Sequence, residues 1–293
     1  MVGVFCLMSA VWSSGALADS SLTEHLGPRE LSMGGSMRAN AQGRMAITLN
    51  PAGLSLSRNL VFEGTYGHRS EDNAQVVSVS ACDSTVGVPA CLYYNFMSTD
   101  SMGNVDLGGR KVHQFGIVSS RAITQNILFG MNSKYFDYES DIPGESASGF
   151  GLDAGLILRA GQSANLAVVG YNMIAKDTPQ YPRAFGTGIT LYPVDGLGIA
   201  ADALWDVETE GAGGRYSGGL EYLFRWGSGQ TGLPFRGGVV RDTGTDETFV
   251  SGGIGYNTLR LAIDVGIRKQ IGGMGDDLTI QAGLRLFGAA PGR

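Results

Sequence analysis

The sequence has little charge and, beyond its first residues, no long hydrophobic run. Charged residues make up 16% of the 293 residues, and the mean hydropathy is +0.03. After residue 18 no stretch of about 18 apolar residues occurs, so no transmembrane helix is expected in the mature chain. The formal net charge is −6 and Lys and Arg are not clustered, which argues against nucleic acid as a partner.

The N-terminus carries an export signal. Residues 2–17 form an apolar run that ends in Ala16-Leu17-Ala18, the small-x-small pattern that precedes a cleavage site. We therefore expect residues 1–18 to be a signal peptide and Asp19 to be the mature N-terminus. The usual basic residues at the start of the run are missing, and a short transmembrane helix is the alternative interpretation. Export would take the protein to the outer membrane of a Gram-negative-type cell.

Cysteine is scarce, with three residues in the chain. Cys6 leaves with the predicted signal peptide, so Cys82 and Cys91 remain. They flank a predicted turn and point to the same face of their strands. In an oxidising compartment such a pair is expected to form a disulfide, with two packed thiols as the alternative. No third ligand lies nearby, so neither a metal nor another cofactor is expected.

Alternation of apolar with small or polar residues is the dominant pattern from Leu60 onward. The clearest run has Leu259, Leu261, Ile263, Val265 and Ile267 against Arg260, Ala262, Asp264, Gly266 and Arg268. Runs of about ten residues with this period match tilted membrane-spanning strands better than the shorter strands of a soluble β-sandwich, which is the alternative. In a membrane barrel the aliphatic face meets lipid and the charged face lines the lumen.

About fourteen such runs can be counted, and twelve is the alternative number. The sequence therefore predicts an all-β fold, a closed antiparallel transmembrane barrel over residues 59–293. The predicted strands are 60–69, 74–82, 86–96, 111–120, 127–136, 149–159, 164–174, 184–192, 196–207, 214–225, 233–241, 247–256, 258–268 and 277–287. An even count puts both chain ends on the periplasmic side, and the connections then assigned to the exterior are longer and more acidic.

Aromatic residues support the membrane assignment. Several fall at or near predicted strand ends, where the interfacial girdles of a barrel lie. They are Tyr66, Tyr94, Phe96, Tyr135, Tyr171, Tyr222, Phe224 and Tyr256. Outer-membrane lipid is therefore an expected partner of the outer face.

The segment before the barrel, residues 19–58, has no strand periodicity. A barrel of fourteen strands is too wide for its own side chains to fill, so this segment is the natural plug. Its residues 27–36 and 50–54 read GPRELSMGGS and NPAGL. Glycine pairs allow a close approach to the wall, and Asn-Pro favours a turn into the first strand.

These two motifs resemble the N-terminal hatch of the FadL-type outer-membrane channel family, whose wider relatives include PorV-like barrels. The resemblance covers about thirty residues closely and the rest by strand count and order. It implies hatch or gating roles for a set of motif residues, although each of them singly could serve only to fold the plug. The set is Gly34, Gly35, Asn50, Pro51, Ala52 and Gly53.

The resemblance also implies a lateral opening at a kink in the third strand. The third predicted strand contains Gly87 and Pro89, and proline removes a hydrogen bond of the strand ladder. We therefore take these two residues as the candidate position of the opening. The alternative is a proline that merely precedes the strand.

Two functions follow from the resemblance. One is passive transport of small hydrophobic molecules, fatty-acid-like or aromatic, through a lumen gated by the hatch. The other is a PorV-like structural barrel that binds a protein partner and transports nothing. Short polar exterior connections and a polar hatch, with Arg38, Asn40, Gln42 and Arg44, are departures from the fatty-acid channels that keep the second function open.

An enzymatic barrel is not expected. His68 with Glu71 and Asp72 is the nearest approach to a catalytic cluster, and such charged loop tips are usually just solvated. The lumen charges are instead expected to form salt-bridge ladders, because unpaired charge inside a plugged barrel is costly. They are Arg260, Asp264, Arg268, Glu221, Asp153 and Arg159.

Overall fold

The computed structural model describes residues 25–100, 109–174, 181–208, 213–226 and 231–288. Fourteen antiparallel strands form one closed barrel in which every strand pairs with its sequence neighbours and β1 pairs with β14. The predicted closed barrel of about fourteen strands is confirmed, and the alternative of twelve is wrong. The predicted signal peptide lies outside the described residues.

The strands follow one another with short connections. Their bounds are β1 Leu60–Arg69, β2 Ala74–Asp83, β3 Ala90–Thr99, β4 Arg110–Ala122, β5 Ile127–Ser140, β6 Ala147–Ala160, β7 Ala164–Tyr171, β8 Ala184–Val194, β9 Leu197–Asp206, β10 Gly214–Trp226, β11 Thr231–Asp242, β12 Glu247–Asn257, β13 Leu261–Gly272 and β14 Leu278–Phe287. We call the end with the β2–β3 turn the periplasmic end and the opposite end the exterior end, following the sequence-based orientation.

Two strands, β3 and β13, begin several residues later than the sequence pattern suggests, and turn chemistry explains both. Before β3, the carboxylate of Asp83 accepts hydrogen bonds from the backbone and hydroxyl of Thr85, which forms a side-chain-stabilised turn. Before β13, the hydroxyl of Thr258 accepts hydrogen bonds from the backbone of Arg260 and Leu261. Arg260 therefore lies exposed in a turn, and its predicted place in the lumen is wrong.

The two faces of the barrel wall differ as the alternation predicts. On β13 the side chains of Ile263, Val265 and Ile267 are exposed on the outer face, while Ala262 and Asp264 are buried on the inner face. A continuous apolar outer face is what a barrel wall presents to lipid. None of the described helices is both long enough and apolar enough to span a membrane.

The aromatic residues assigned to the interface do not all lie on the outer face of the wall. Tyr66, Tyr94, Tyr222, Phe224 and Tyr256 have exposed side chains. Phe96 and Tyr135 are half-buried. Tyr171 is a correction, because its side chain is 3% exposed and points into the lumen, where its hydroxyl finds polar partners.

Residues 25–58, which we call the luminal segment, lie inside the barrel. They contain two short α-helices, α1 (Pro28–Ser32) and α2 (Met45–Thr48), and two 3₁₀ helices at Arg38–Asn40 and Pro51–Leu56. α1 contacts β11–β14, the first 3₁₀ helix contacts β7 and β8, and the second contacts β4–β6. The segment thus touches the wall on most sides.

The luminal segment has its own apolar interior. One cluster joins six buried side chains of the segment with one wall residue, and its members are Leu26, Met33, Met37, Ala41, Met45, Leu49 and Ala200. Methionine adapts to irregular space, which suits a short segment that cannot build a regular core. The segment is therefore folded in its own right against the wall.

The outer face provides a test of the membrane assignment. Val265→Arg places a cation on the lipid-facing side of the middle of β13, which costs about 2–4 kcal/mol at the midplane of a bilayer. We expect this variant to assemble poorly in lipid vesicles, with Val265→Leu assembling like the parent. Heat-modifiable gel mobility measures the folded fraction. Equal assembly of both variants would contradict a lipid-facing position.

Candidate functional site

The glycine pair lets the luminal segment turn tightly against the wall just after α1. Gly34 and Gly35 have φ values of 68° and 76°, a backbone region that favours glycine. A Cβ atom on Gly34 would lie 2.7 Å from the carbonyl oxygen of Val239 on β11. Met37 adopts φ 98° in the same stretch, which costs free energy for a residue with a side chain. Residues 34–37 are therefore a strained turn pressed against the barrel.

The Asn-Pro-Ala-Gly motif attaches the end of the luminal segment to β4–β6. The side chain of Asn50 accepts a hydrogen bond from the backbone of Ala52 and donates one to the carbonyl of Leu156. Pro51 begins the 3₁₀ helix, where no backbone donor is needed. A Cβ atom on Gly53 would clash with the carbonyl of Ala41. The motif residues thus fix the fold and position of the segment.

A chain of alternating charges anchors α1 to the opposite wall. Arg29 donates two hydrogen bonds to Glu221 on β10, at 3.0 Å (Nε–Oε2) and 2.7 Å (Nη2–Oε1). Arg236 on β11 joins Glu221 to Asp264, with Nη1 2.6 Å from Oδ1. Arg285 on β14 donates to the second oxygen of Asp264 at 2.5 Å. We call these five residues the arginine ladder.

A second polar anchor joins the luminal segment to β7 and β9. The backbone and the guanidinium of Arg38 donate to Oδ2 of Asp202, at 2.8 and 3.2 Å. Nε of Arg38 also donates to the hydroxyl of Tyr171, which itself donates to the carbonyl of Leu49. This network explains why Tyr171 turns inward instead of facing the interface.

Arg44 braces the luminal segment internally. Its guanidinium lies 3.0 Å from Oε1 of Glu30 and donates to the carbonyl of His25 and the hydroxyl of Ser78 on β2. Arg44 is one of the largest fully buried side chains among the described residues. Arg38 and Arg44 thus both help to hold this segment in place through buried hydrogen bonds.

Among the other predicted lumen charges, Asp153 and Arg268 are paired with opposite charges as expected, whereas Arg159 meets a backbone carbonyl. Asp153 lies 2.8 Å from Nζ of Lys134, and Arg268 lies 3.6 Å from Asp277. Arg159 donates to the carbonyl of Ser55 in the luminal segment. Sequence reasoning missed Arg236, Arg285 and Asp202. The inward parity of each on its strand is the signal that could have identified them.

A small cavity lies between the luminal segment and the wall at β9 and β10. Its volume is about 10 Å³, roughly the space that one water molecule needs. It is lined by Leu26, Gly34, Gly35, Arg38, Leu49, Leu204, Arg215 and Ser217. The strained turn at residues 34–37 therefore borders the cavity.

The structure does not place Gly87 and Pro89 in the third strand. Both lie in the turn between β2 and β3, and β3 is paired on both sides from Ala90 onward. The carbonyl of Pro89 also accepts a hydrogen bond from the backbone of Ser120 on β4. The predicted kink is wrong, because the proline precedes the strand and interrupts no ladder. The described wall has no gap at this position.

The two cysteines face each other across β2 and β3. Cys82 and Cys91 are directly opposed in the register, their Cα atoms are 4.0 Å apart, and a disulfide joins them in the structure. Both side chains are buried in a cluster that includes Ala46, Ile47 and Leu54 of the luminal segment. The bridge therefore lies where the wall meets that segment.

The histidine cluster suggested by the sequence does not form. His68 is exposed on the outer side of β1, whereas Asp72 accepts hydrogen bonds at 2.8 and 2.6 Å from Arg69. Burial raises the pKa of Asp72, but Arg69 and the charge of Arg110 outweigh it and hold that pKa below its usual value. Within the described ranges, no group of three or more His, Cys, Asp or Glu side chains is placed to hold a metal ion.

Solved structures of hydrocarbon channels share this fold. CymD, a monoaromatic hydrocarbon channel, superposes with a TM-score of 0.65 at 12% identity, covering 89% of this chain and 97% of that one. The toluene transporter TodX of Pseudomonas putida gives 0.66 at 12% identity with the same coverage. A Pseudomonas aeruginosa FadL homologue gives 0.57 at 9% identity, covering 90% and 98%. At these identities the likeness establishes the fold.

Searches by sequence give a different result. No protein-family model matches the chain, and no curated protein matches it.

The arginine ladder gives a stability prediction. Asp264→Asn removes the acid that Arg236 and Arg285 share, and the side chain of Arg236 is 1% exposed. Leaving buried charge without its partner typically costs about 3–5 kcal/mol. We expect the free energy of unfolding in detergent, measured by urea titration, to fall by about that amount.

The control for this variant is Glu208→Gln, which breaks the exposed pair of Glu208 with Arg183. Exposed pairs contribute about 1 kcal/mol or less. Equal losses in the two variants would show that the ladder does not anchor α1 by buried charge.

The packing of Gly53 gives a second prediction. Gly53→Ala forces the luminal segment apart at Ala41, whereas a Cβ atom on Gly64, which faces outward on β1, meets nothing within 4 Å. We expect Gly53→Ala to make the luminal segment sensitive to limited proteolysis, with Gly64→Ala as resistant as the parent. Resistance of both variants would mean that residues 41 and 53 are not in contact.

Proposed function

We propose that this protein is an outer-membrane barrel that passively transports small hydrophobic molecules, with the luminal segment as its hatch. The observation that carries the proposal is a folded segment inside a barrel of the same fold as monoaromatic hydrocarbon and toluene channels. The export signal in the sequence and the apolar outer face support an outer-membrane location.

Gating by the luminal segment follows from how it is held. Ion pairs and hydrogen bonds join it to side chains on β7, β9 and β10, while its apolar side chains pack together in one cluster and against β2–β4 in another. The polar contacts with β7, β9 and β10 can be exchanged for water without separating the side chains of the segment's own apolar cluster. Gly34, Gly35, Asn50, Pro51, Ala52 and Gly53 are proposed to shape and position the hatch.

A second function, a PorV-like barrel that binds a protein partner, is favoured by the charged interior. The arginine ladder and Arg38 with Asp202 bring charge deep into the lumen, and the cavity beside them has room for about one water molecule. A solid, charged interior suits a scaffold better than a hydrocarbon passage. The two functions make opposite predictions for uptake.

Uptake by intact cells tests transport. Cells that express the protein are expected to accumulate radiolabelled toluene or oleate faster than matched cells with an empty vector. A barrel of unrelated function expressed to the same level is the control for membrane disturbance. If neither compound enters faster and a protein partner co-purifies stoichiometrically, the scaffold function replaces transport.

Conductance in planar bilayers tests the hatch. The wild-type barrel is expected to be silent, because the luminal segment lies across the lumen and contacts the wall on most sides. Arg38→Met with Asp202→Asn removes both members of one anchor and is expected to show frequent conductance steps. Arg183→Met with Glu208→Gln, which removes an exposed pair outside the lumen, is the matched control. Identical traces for the two double variants would contradict gating through this anchor.

A further inference from the structure

Four neighbouring strands place apolar side chains side by side at the exterior half of the lumen. In the register, Val76 of β2 is opposite Met97 of β3, and Met97 is opposite Val112 of β4. Phe136 of β5 lies beside them, and all four side chains are buried in one cluster. We call these four residues the exterior apolar panel. Tyr138, partly buried, packs at its edge.

The ring of Tyr181 covers this panel. Tyr181 belongs to the connection between β7 and β8, yet it is 2% exposed and stacks on Phe136 with the ring centroids 3.8 Å apart and an interplanar angle of 18°. A ring from the β7–β8 connection therefore packs on side chains of β2–β5.

The backbone next to Tyr181 is held by a polar relay. The carbonyl of Pro182 accepts a hydrogen bond of 2.8 Å from the side chain of Asn172. The backbone of Asn172 donates to Asp153, which pairs with Lys134 at 2.8 Å. This relay fixes the chain at residue 182, next to the ring that stacks on Phe136.

We infer that the exterior apolar panel is a binding site for a single aromatic ring, and that Tyr181 occupies it when no ligand is bound. Without the Tyr181 ring, the panel would border a space of one ring. Apolar spaces of that kind stay dry and bind benzene-sized molecules. The inference deepens the proposed transport function, on which its physiological meaning rests.

The panel selects for a neutral monocyclic aromatic molecule. Phe136 offers a ring face, and Met97 adds a polarisable sulfur, both of which favour aromatic contacts. None of the four panel residues is charged, and the inward cations next to them on β5 and β4, Lys134 and Arg110, are already paired with Asp153 and Asp72. A carboxylate therefore has no partner in the panel, so a fatty acid is disfavoured relative to an aromatic hydrocarbon or a phenol.

Competition with Tyr181 lowers the apparent affinity for a ligand. When a site is open for only a fraction of the time, its apparent affinity for a ligand falls in proportion to that fraction. Removing the ring by Tyr181→Ala should therefore tighten ring binding, by about tenfold if the site is open about a tenth of the time. Tyr181→Phe keeps the ring and is expected to bind like the parent.

The experiment is a titration of the whole barrel in detergent with 4-fluorotoluene, followed by ¹⁹F NMR. The wild type, Tyr181→Ala, Tyr181→Leu and Tyr181→Phe are compared after gel mobility has shown that each is folded. Fluorinated methylcyclohexane, which is similar in size but has no π face, is the matched probe. Phe136→Leu removes the stacking surface while keeping an apolar side chain.

The expected result is tighter binding of 4-fluorotoluene to Tyr181→Ala and Tyr181→Leu than to Tyr181→Phe. Phe136→Leu should weaken 4-fluorotoluene several-fold more than fluorinated methylcyclohexane. If the alanine and leucine variants bind no more tightly than the phenylalanine variant, or if Phe136→Leu weakens both probes equally, the inference is overturned.

Toluene uptake by cells separates this inference from the proposed function. Wild-type uptake that Phe136→Leu leaves unchanged would overturn the panel as the transport site and leave transport standing. Ring binding to the purified barrel without any uptake would overturn transport and leave the site standing.

Discussion

A closed sheet of fourteen strands encloses more space than its inward side chains can fill, and the rest of the structure depends on how that space is occupied. Closure itself satisfies the backbone hydrogen bonds of every strand, including the pairing of β1 with β14. It leaves a lumen whose wall is polar on many strands. The luminal segment fills the middle and periplasmic parts of that lumen, and the exterior apolar panel with Tyr181 occupies part of the remainder.

Filling a polar lumen requires that each buried charge finds an opposite charge. The arginine ladder meets this requirement with three arginines and two acids, in which Arg236 serves both acids and each acid accepts from two arginines. The guanidinium group suits this arrangement because its fixed fork donates several hydrogen bonds in one plane. A lysine in place of Arg236 would offer a single point charge and could not hold Glu221 and Asp264 in the same geometry.

Much of the barrel could be predicted from the sequence, because a period of two assigns each residue to a face without any knowledge of its neighbours. The strand count and the inward positions of Asp264 and Asp153 follow from that period alone. The errors arose where a local hydrogen bond ended the period. Thr258 set the start of β13 and exposed Arg260, and the turn at Asp83 left Pro89 outside β3.

Contacts across the lumen cannot be predicted from the period of two, because they join residues that are far apart in sequence. The sequence places Tyr171 among the interfacial aromatic residues. In the structure its hydroxyl points inward, because it accepts a hydrogen bond from Arg38, which is distant in sequence. Phe136 and Tyr181 carry no sequence signal for their stacking, because the alternation says that Phe136 faces inward and says nothing about what meets it. The motif residues of the luminal segment are an intermediate case. Asn50 bonds Ala52 close by in sequence and Leu156 on β6, and Gly53 packs against Ala41 within the segment.

The two kinds of contact made by the luminal segment also decide how it can move. Inside the segment, Met33, Met37 and Met45 pack among apolar neighbours, and separating them would expose that surface to water. Its contacts with β9 and β10 include ion pairs, whose strength depends on the low dielectric of a dry lumen, whereas its contacts with β2–β4 include an apolar cluster. Water that entered the cavity beside Arg38 and Arg215 would weaken these ion pairs. The apolar cluster inside the segment would stay packed, because separating it would expose apolar surface to water. Under the proposed gating, hydration of these ion pairs would therefore free the β9 and β10 side of the segment first, while its apolar side stays packed against β2–β4.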